Sequence, residues 1–250
     1  MKALEDVLLP GVPATFVRDE ILSAAGNEVG SGKIYSPNSS AALAVNTFGW
    51  FLERPSDLPP LPNLESRDRP ALRINLEREM RFPWEGDGGH PCLDAAIETP
   101  EVLIGVESKR FEPFRDSKKF EFSNAYDLDV WGAHMAPFER IRDVLKRGEV
   151  VFRHLDAAQL VKHAFGLVTE GRRLTKQPVL YYLFAEPKSY NGKSISEENI
   201  QRHRQEVALF EKLVAGAEVT FAFSNYRDWL STWTAEPAEH AAKLIAKYDP

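Results

Sequence analysis

Between Leu72 and Lys109 the chain carries three apolar runs separated only by turn formers, and this stretch commits it to a sheet. In LRINLEREMRF, Ile74, Leu76, Met80 and Phe82 fall on one side of a period-two pattern, and Asn75, Glu77, Glu79 and Arg81 on the other. The glycine-rich EGDGGH (85–90) reads as a turn. CLDAAIE and VLIGVESK then read as two more strands joined by the tight Thr99-Pro100 turn, the last nearly all apolar until its end. Three strands with short connections predict an antiparallel meander.

Helical signals flank this sheet. Ahead of it, NEVGSGKIYSPNSS (27–40) reads as a loop, and Ser39 or Ser40 is placed to cap AALAVNTFGWFLER. Five prolines between 55 and 70 end that helix. After it, APFERIRDVLKRG predicts a helix ending at Gly148. LDAAQLVKHAFGLVTEG predicts another, with Asp156 near its start and Gly171 at its end. VLYYLFAE reads as a buried strand, and SEENIQRHRQEVALFEKLVAG as an amphipathic helix opened by Ser196. EVTFAFSNY is one more strand, before a short helix bearing Tyr226, Trp229 and Trp233. Trp50, Trp131, Trp229 and Trp233 are expected in the core, since nothing sets them beside basic residues on a strand platform.

The 250 residues, 43% of them apolar and 27% charged, supply enough material for one large domain, and we read 1–250 as a single domain. No stretch approaches the roughly 18 apolar residues of a membrane span. MKALEDVLLPGVP carries Glu5 and Asp6 where a secretion signal needs a basic start, so a soluble cytoplasmic protein without a membrane partner is expected. A lone Cys92 agrees, having no partner for an intramolecular disulfide. The net charge of −6 argues at first against a polyanion partner. It conceals an asymmetry: residues 140–176 hold nine basic side chains against four acids, an excess of +5 that leaves −11 elsewhere.

The chemistry concentrates in HPCLDAAIETPEVLIGVESKRFEPF. Glu107 and Lys109 are two apart on one strand and share a face, beside the neighbouring strand that carries Asp94. Two carboxylates and an amine at the end of an apolar hairpin suit Mg²⁺, which takes one or two protein carboxylates and fills its shell with water and phosphate oxygens. GNEVGSGK is a poorer candidate: its glycines are five residues apart, and Ile34 stands where a phosphate-binding loop needs Ser or Thr.

An aspartate on the second strand, Glu-x-Lys on the third, then a helix and a buried strand resemble the PD-(D/E)XK, or restriction-endonuclease-like, nuclease superfamily. The wording SSAALAVNTFG, GHPCLDAAIETPE, GVESKRFEPF and LDAAQLVKHAFGL is similar to a bacterial branch of restriction-endonuclease-like proteins whose function is little characterised. The resemblance implies an α/β (α+β) fold with an αβββαβ core, its mixed central sheet flanked by helices. The nuclease-like core would span 40–185, with 186–250 a helix-strand-helix extension packed on the same sheet. Asp94, Glu107 and Lys109 take the catalytic positions, joined by Glu79 or Glu77, with Glu79 preferred, and by Gln159 on the following helix.

Asp94, Glu107 and the Ser108 backbone carbonyl would hold Mg²⁺, or Mn²⁺ in its place. Lys33, Asn46, Lys162 and His163 are candidate substrate contacts, and the basic segment 140–176 would flank the site. The implied reaction is Mg²⁺-dependent hydrolysis of phosphodiester bonds in nucleic acid, DNA foremost, and a homodimer is the form in which many such nucleases cut both strands. RNA or a nucleotide is an alternative substrate. A catalytically silent nucleic-acid or protein binding module is the alternative of a different class. Two features depart from the family pattern: Pro91 lies three residues before the aspartate instead of next to it, and an additional helix separates Lys109 from the Gln159 helix.

Overall fold

A computed structural model describes residues 4–24, 32–64, 70–84, 89–115 and 122–250. Most of the EGDGGH turn and the start of the 27–40 loop lie outside the described residues. The three runs form β1 (Arg73–Glu79), β2 (Cys92–Glu98) and β3 (Val102–Lys109), paired antiparallel in chain order. The chain then crosses over, and β4 (Gln177–Phe184) joins β3 in parallel. Past a small hairpin of β5 (Ser189–Tyr190) and β6 (Lys193–Ser194), β7 (Thr220–Asn225) joins β4, also in parallel. The result is a five-stranded mixed sheet in the order β1-β2-β3-β4-β7, with helices on both faces. β3 and β4 lie inside it and are buried almost throughout, which explains their continuous apolar sequence.

One face packs on α1 (Ala14–Ser23), α2 (Ser40–Gly49), α6 (Tyr226–Ser231) and α7 (Ala235–Tyr248), in a core that includes Phe48, Ile104, Tyr181 and Trp229. The other packs on α3 (Ala136–Lys146), α4 (Ala157–Leu174) and α5 (Glu197–Val214), around Phe138, Phe165, Tyr182 and Phe210. All four tryptophans expected inside are buried. No helix among the described residues is long and apolar enough to cross a membrane.

Local signals placed the helix starts. Ser39 accepts the Ala42 N–H, Asp156 the Gln159 N–H and Ser196 the Asn199 N–H. Helix ends differ from expectation in two places. α2 stops at Gly49 and continues only as turns, and α4 runs past Gly171 to Leu174, where Thr175 adopts φ 55°. Gly171 does not end the helix; a Cβ there would lie 3.0 Å from the Lys176 carbonyl oxygen and 3.1 Å from Pro178 Cβ, so it serves close packing. The helices α1 and α7 had no counterpart in the sequence reading.

A second correction concerns β1. Ile74 and Leu76 enter the α2-side core, as the alternation predicts, but Met80 and Phe82 enter the α4-side core. The strand reverses its faces at Glu77, whose φ of 48° is left-handed. β2 reverses in step, with Ala95 and Ile97 on the α2 side and Leu93 on the α4 side. The two reversals flank one another, because the pairs Leu76↔Ala95 and Arg78↔Leu93 bracket Glu77 and Asp94.

Candidate active site

The register that brackets Glu77 and Asp94 continues into β3. The β2–β3 pairing ends at Ala95↔Val106, so the next position sets Asp94 opposite Glu107. Three carboxylates thus share one row across three strands. In a regular ladder the Leu93 carbonyl would accept the Ser108 N–H; here Asp94 Oδ2 takes it at 2.7 Å. Lys109 accepts the Ala185 N–H from the β4 side, so the Ser108 carbonyl, one residue earlier, faces β2 and Asp94.

Glu107 is 2% exposed and faces α4. Its Oε1 pairs with Lys109 Nζ, and its Oε2 lies 3.2 Å from His163 Nδ1. Burial alone would pull the Lys109 ammonium down, but Glu107, Asp94 and Glu112 together push it above its ordinary value. Asp94 moves the other way for a carboxylate. Burial, then Glu107, then Glu77 hold its carboxyl well above the usual range, against the opposing pull of Lys109 and the Ser108 N–H. Cys92 registers the same crowding: burial and the carboxylates of Glu77, Glu79, Asp94 and Glu107 push its thiol up to about 12. One ammonium therefore offsets three converging carboxylates only in part.

The two glutamates expected to complete the row differ, Glu77 standing level with Asp94 in the strand pairing. Glu77 is buried and acts on Asp94, whereas Glu79, the preferred residue in the sequence reading, pairs with Arg81 at 3.1 Å. The face reversal at Glu77 separates two residues that simple alternation puts together. Gln159 lies in the first turn of α4, and among the described residues its side chain makes no hydrogen bond. Glu112, which the sequence reading passed over, accepts the Ser40 hydroxyl at 2.7 Å and the Arg110 N–H at 2.9 Å. Burial raises its carboxyl, but Lys109 and these hydrogen bonds reverse that and hold it below its ordinary value. Its position three residues past Lys109 was the available signal.

The expected substrate contacts fare differently. Asn46 is fully buried in the α2-side core, accepting the Leu9 N–H and donating to the Ala42 carbonyl and Tyr248 hydroxyl, so it is a structural tie and not a contact. Lys33 is exposed on a single turn anchored by the buried Ile34. Lys162 lies over the Phe122 and Tyr126 rings. His163 is 3% exposed and meets Glu107 instead of solvent. His90 accepts the Phe82 N–H.

The basic segment is largely neutralised, in part by acids remote in sequence. Lys146 pairs with Asp127 and Arg172 with Glu218, both outside the segment, while Arg142 pairs with Asp143, Arg147 with Glu149 and Arg173 with Glu170 inside it. Only Arg140 and Arg153 of its arginines make no ion pair among the described residues. A cavity of about 690 Å³ runs along the outer edge of β1, walled by Glu20, Arg73, Glu77, Arg78, Glu170 and Arg173. Glu77 thus separates this cavity from the acidic row.

Among the described residues no group of three His, Cys, Asp or Glu side chains is gathered ready to hold an ion. Lys109 occupies one oxygen of Glu107, and the Ser108 N–H occupies one of Asp94. The donor chemistry nevertheless fits Mg²⁺ or Mn²⁺. Asp94, Glu107 and the Ser108 carbonyl are hard oxygens on adjoining strands, and Asp94 is raised by burial first and then by the Glu107 and Glu77 charges that a divalent cation would offset. Comparison with known proteins adds no assignment: no family model, curated protein or solved structure matches the chain.

Proposed function

We propose that this protein is a Mg²⁺-dependent phosphodiesterase acting on nucleic acid, DNA foremost, with a PD-(D/E)XK-type site on a restriction-endonuclease-like core. The observation that carries the reading is the row of Glu77, Asp94 and Glu107 with Lys109 drawn into it, at the end of the central hairpin. The meander followed by a parallel crossover to β4 supports the same reading. Asp94, Glu107 and the Ser108 carbonyl would hold the ion, and Glu77 would close the row from the β1 side.

A bound Mg²⁺ supplies polarisation of the scissile phosphate and charge for its transition state. Lys109 acts as an ammonium: released from Glu107, it donates to the attacking water and offsets charge on the phosphate oxygens. The water oxygen would bond to phosphorus as the P–O3′ bond breaks in line, its proton passing through solvent to the leaving O3′, to give a 5′-phosphate and a 3′-hydroxyl. The neutralised basic segment favours a second reading, a silent module that binds protein, because it leaves few free cations to grip a nucleic-acid backbone.

The test is cleavage of single-stranded, duplex and flapped DNA, with RNA and a nucleotide diester alongside, in Mg²⁺ or Mn²⁺. Product from wild type that Lys109→Ala loses supports the proposal. Cleavage indifferent to Lys109→Ala would remove the site, and no cleavage of any substrate would leave the binding module.

A further inference from the structure

We infer that His163 is a positioning residue, whose Nδ1–H holds Glu107 Oε2 and leaves Oε1 alone to meet the divalent ion. The inference rests on the reading of Asp94 and Glu107 as ligands. His163 is 3% exposed, and its Nδ1 lies 3.2 Å from Glu107 Oε2 but off the hydrogen-bonding line, so this buried nitrogen has no hydrogen-bond partner. Burying a polar nitrogen without a partner is costly, and the nearest acceptor is the free oxygen of Glu107. The opposite oxygen carries Lys109, the group an arriving cation would displace.

The approach is built into the backbone. At Gly105 on β3 a Cβ would lie 2.3 Å from Leu93 Cδ1 and 2.9 Å from Leu167 Cδ1, and at Gly166 on α4 it would lie 2.7 Å from Met80 Cβ. Two glycines therefore let α4 sit close on the sheet, one turn from His163. Holding a ligating carboxylate by such a contact is worth about 10–100-fold in metal affinity elsewhere.

The experiment is calorimetric titration of the full chain with Mn²⁺ alone, for wild type, His163→Leu and His163→Asn, each first checked for a cooperative melt. Asparagine puts an N–H near the position of Nδ1, and leucine does not. We expect His163→Leu to weaken Mn²⁺ at least about tenfold and His163→Asn to stay within about threefold of wild type. Equal loss in both variants, or loss in neither, overturns the inference. A metal-free readout stands beside it: ¹⁵N resonances of the His163 ring should report the Nδ1–H tautomer and shift on Glu107→Gln. An Nε2–H tautomer indifferent to Glu107→Gln overturns the inference whether or not Mn²⁺ binds. Absence of Mn²⁺ binding to wild type with the expected tautomer retained instead overturns the metal reading of Asp94 and Glu107.

Discussion

Gly166→Ala should destabilise the protein, although glycine to alanine inside a helix ordinarily gains about 1 kcal/mol. The new Cβ would lie 2.7 Å from Met80 Cβ, 2.9 Å from the Met80 carbonyl oxygen and 2.9 Å from Pro91 Cγ. Carbon atoms settle about 3.5–4.0 Å apart, so α4 must lift from β1 by roughly 0.8 Å or more. The obstructing atoms belong to backbone or sit directly on it and cannot swing aside. Overpacking of this kind costs about 1–3 kcal/mol. With backbone atoms in the way the cost falls in the upper half of that range, about 2–3 kcal/mol, so against the helix gain a net loss of about 1–2 kcal/mol remains, or a fall in Tm of about 2–8 °C for a chain of this size. Thermal unfolding followed by circular dichroism measures it, with urea unfolding as a second probe. The lift also carries His163 away from Glu107, so Mn²⁺ affinity should fall with stability. A Tm equal to or above wild type would refute the close approach on which the geometry depends.

Two further substitutions probe the row itself. Because Glu77 is left-handed, Glu77→Gly should be more stable than Glu77→Ala by about 1–2 kcal/mol in urea unfolding, and equal stabilities would mean that β1 does not reverse there. The raised Asp94 carboxyl makes the native state hold a proton more readily than the unfolded chain between the ordinary value of 3.8 and its folded value. Stability therefore falls as pH rises through that window, and the deficit persists at neutral pH. Asp94→Asn keeps an acceptor for the Ser108 N–H and removes the charge, so it should melt above wild type at about pH 7.5, with the gap closing towards pH 4. A lower melt at pH 7.5 would contradict the crowding.

The strands and helix starts were legible because their causes are local: alternation in LRINLERE, continuous apolar sequence in VLIGVESK, and Ser or Asp caps. Asp94, Glu107 and Lys109 could be brought together because antiparallel pairing across a tight turn sets their register. What escaped was non-local. Alternation puts Glu77 and Glu79 on one face because it assumes an unbroken pleat, and no residue type in LERE announces the left-handed Glu77. His163, four residues from Gln159 on one helix face, was a candidate for the site by that spacing alone, but only the packing of α4 on the sheet shows that it meets Glu107 instead of substrate. The basic segment misled in the same way, since Asp127 and Glu218, which neutralise it, lie outside it in sequence. Asn46 offered no sequence cue to its hydrogen bonds with Val7, Leu9, Ala42 and Tyr248.

As proposed, Asp94, Glu107 and the Ser108 carbonyl hold a divalent cation, with Glu77 closing the row and Lys109 displaced. Crystals grown without divalent ions and soaked in Mn²⁺ test this by anomalous diffraction. We expect one peak within coordination distance of Asp94, Glu107 and the Ser108 carbonyl, with Lys109 Nζ moved off Glu107 Oε1. A saturating soak that leaves the Lys109–Glu107 pair intact and shows no peak at the row would contradict it.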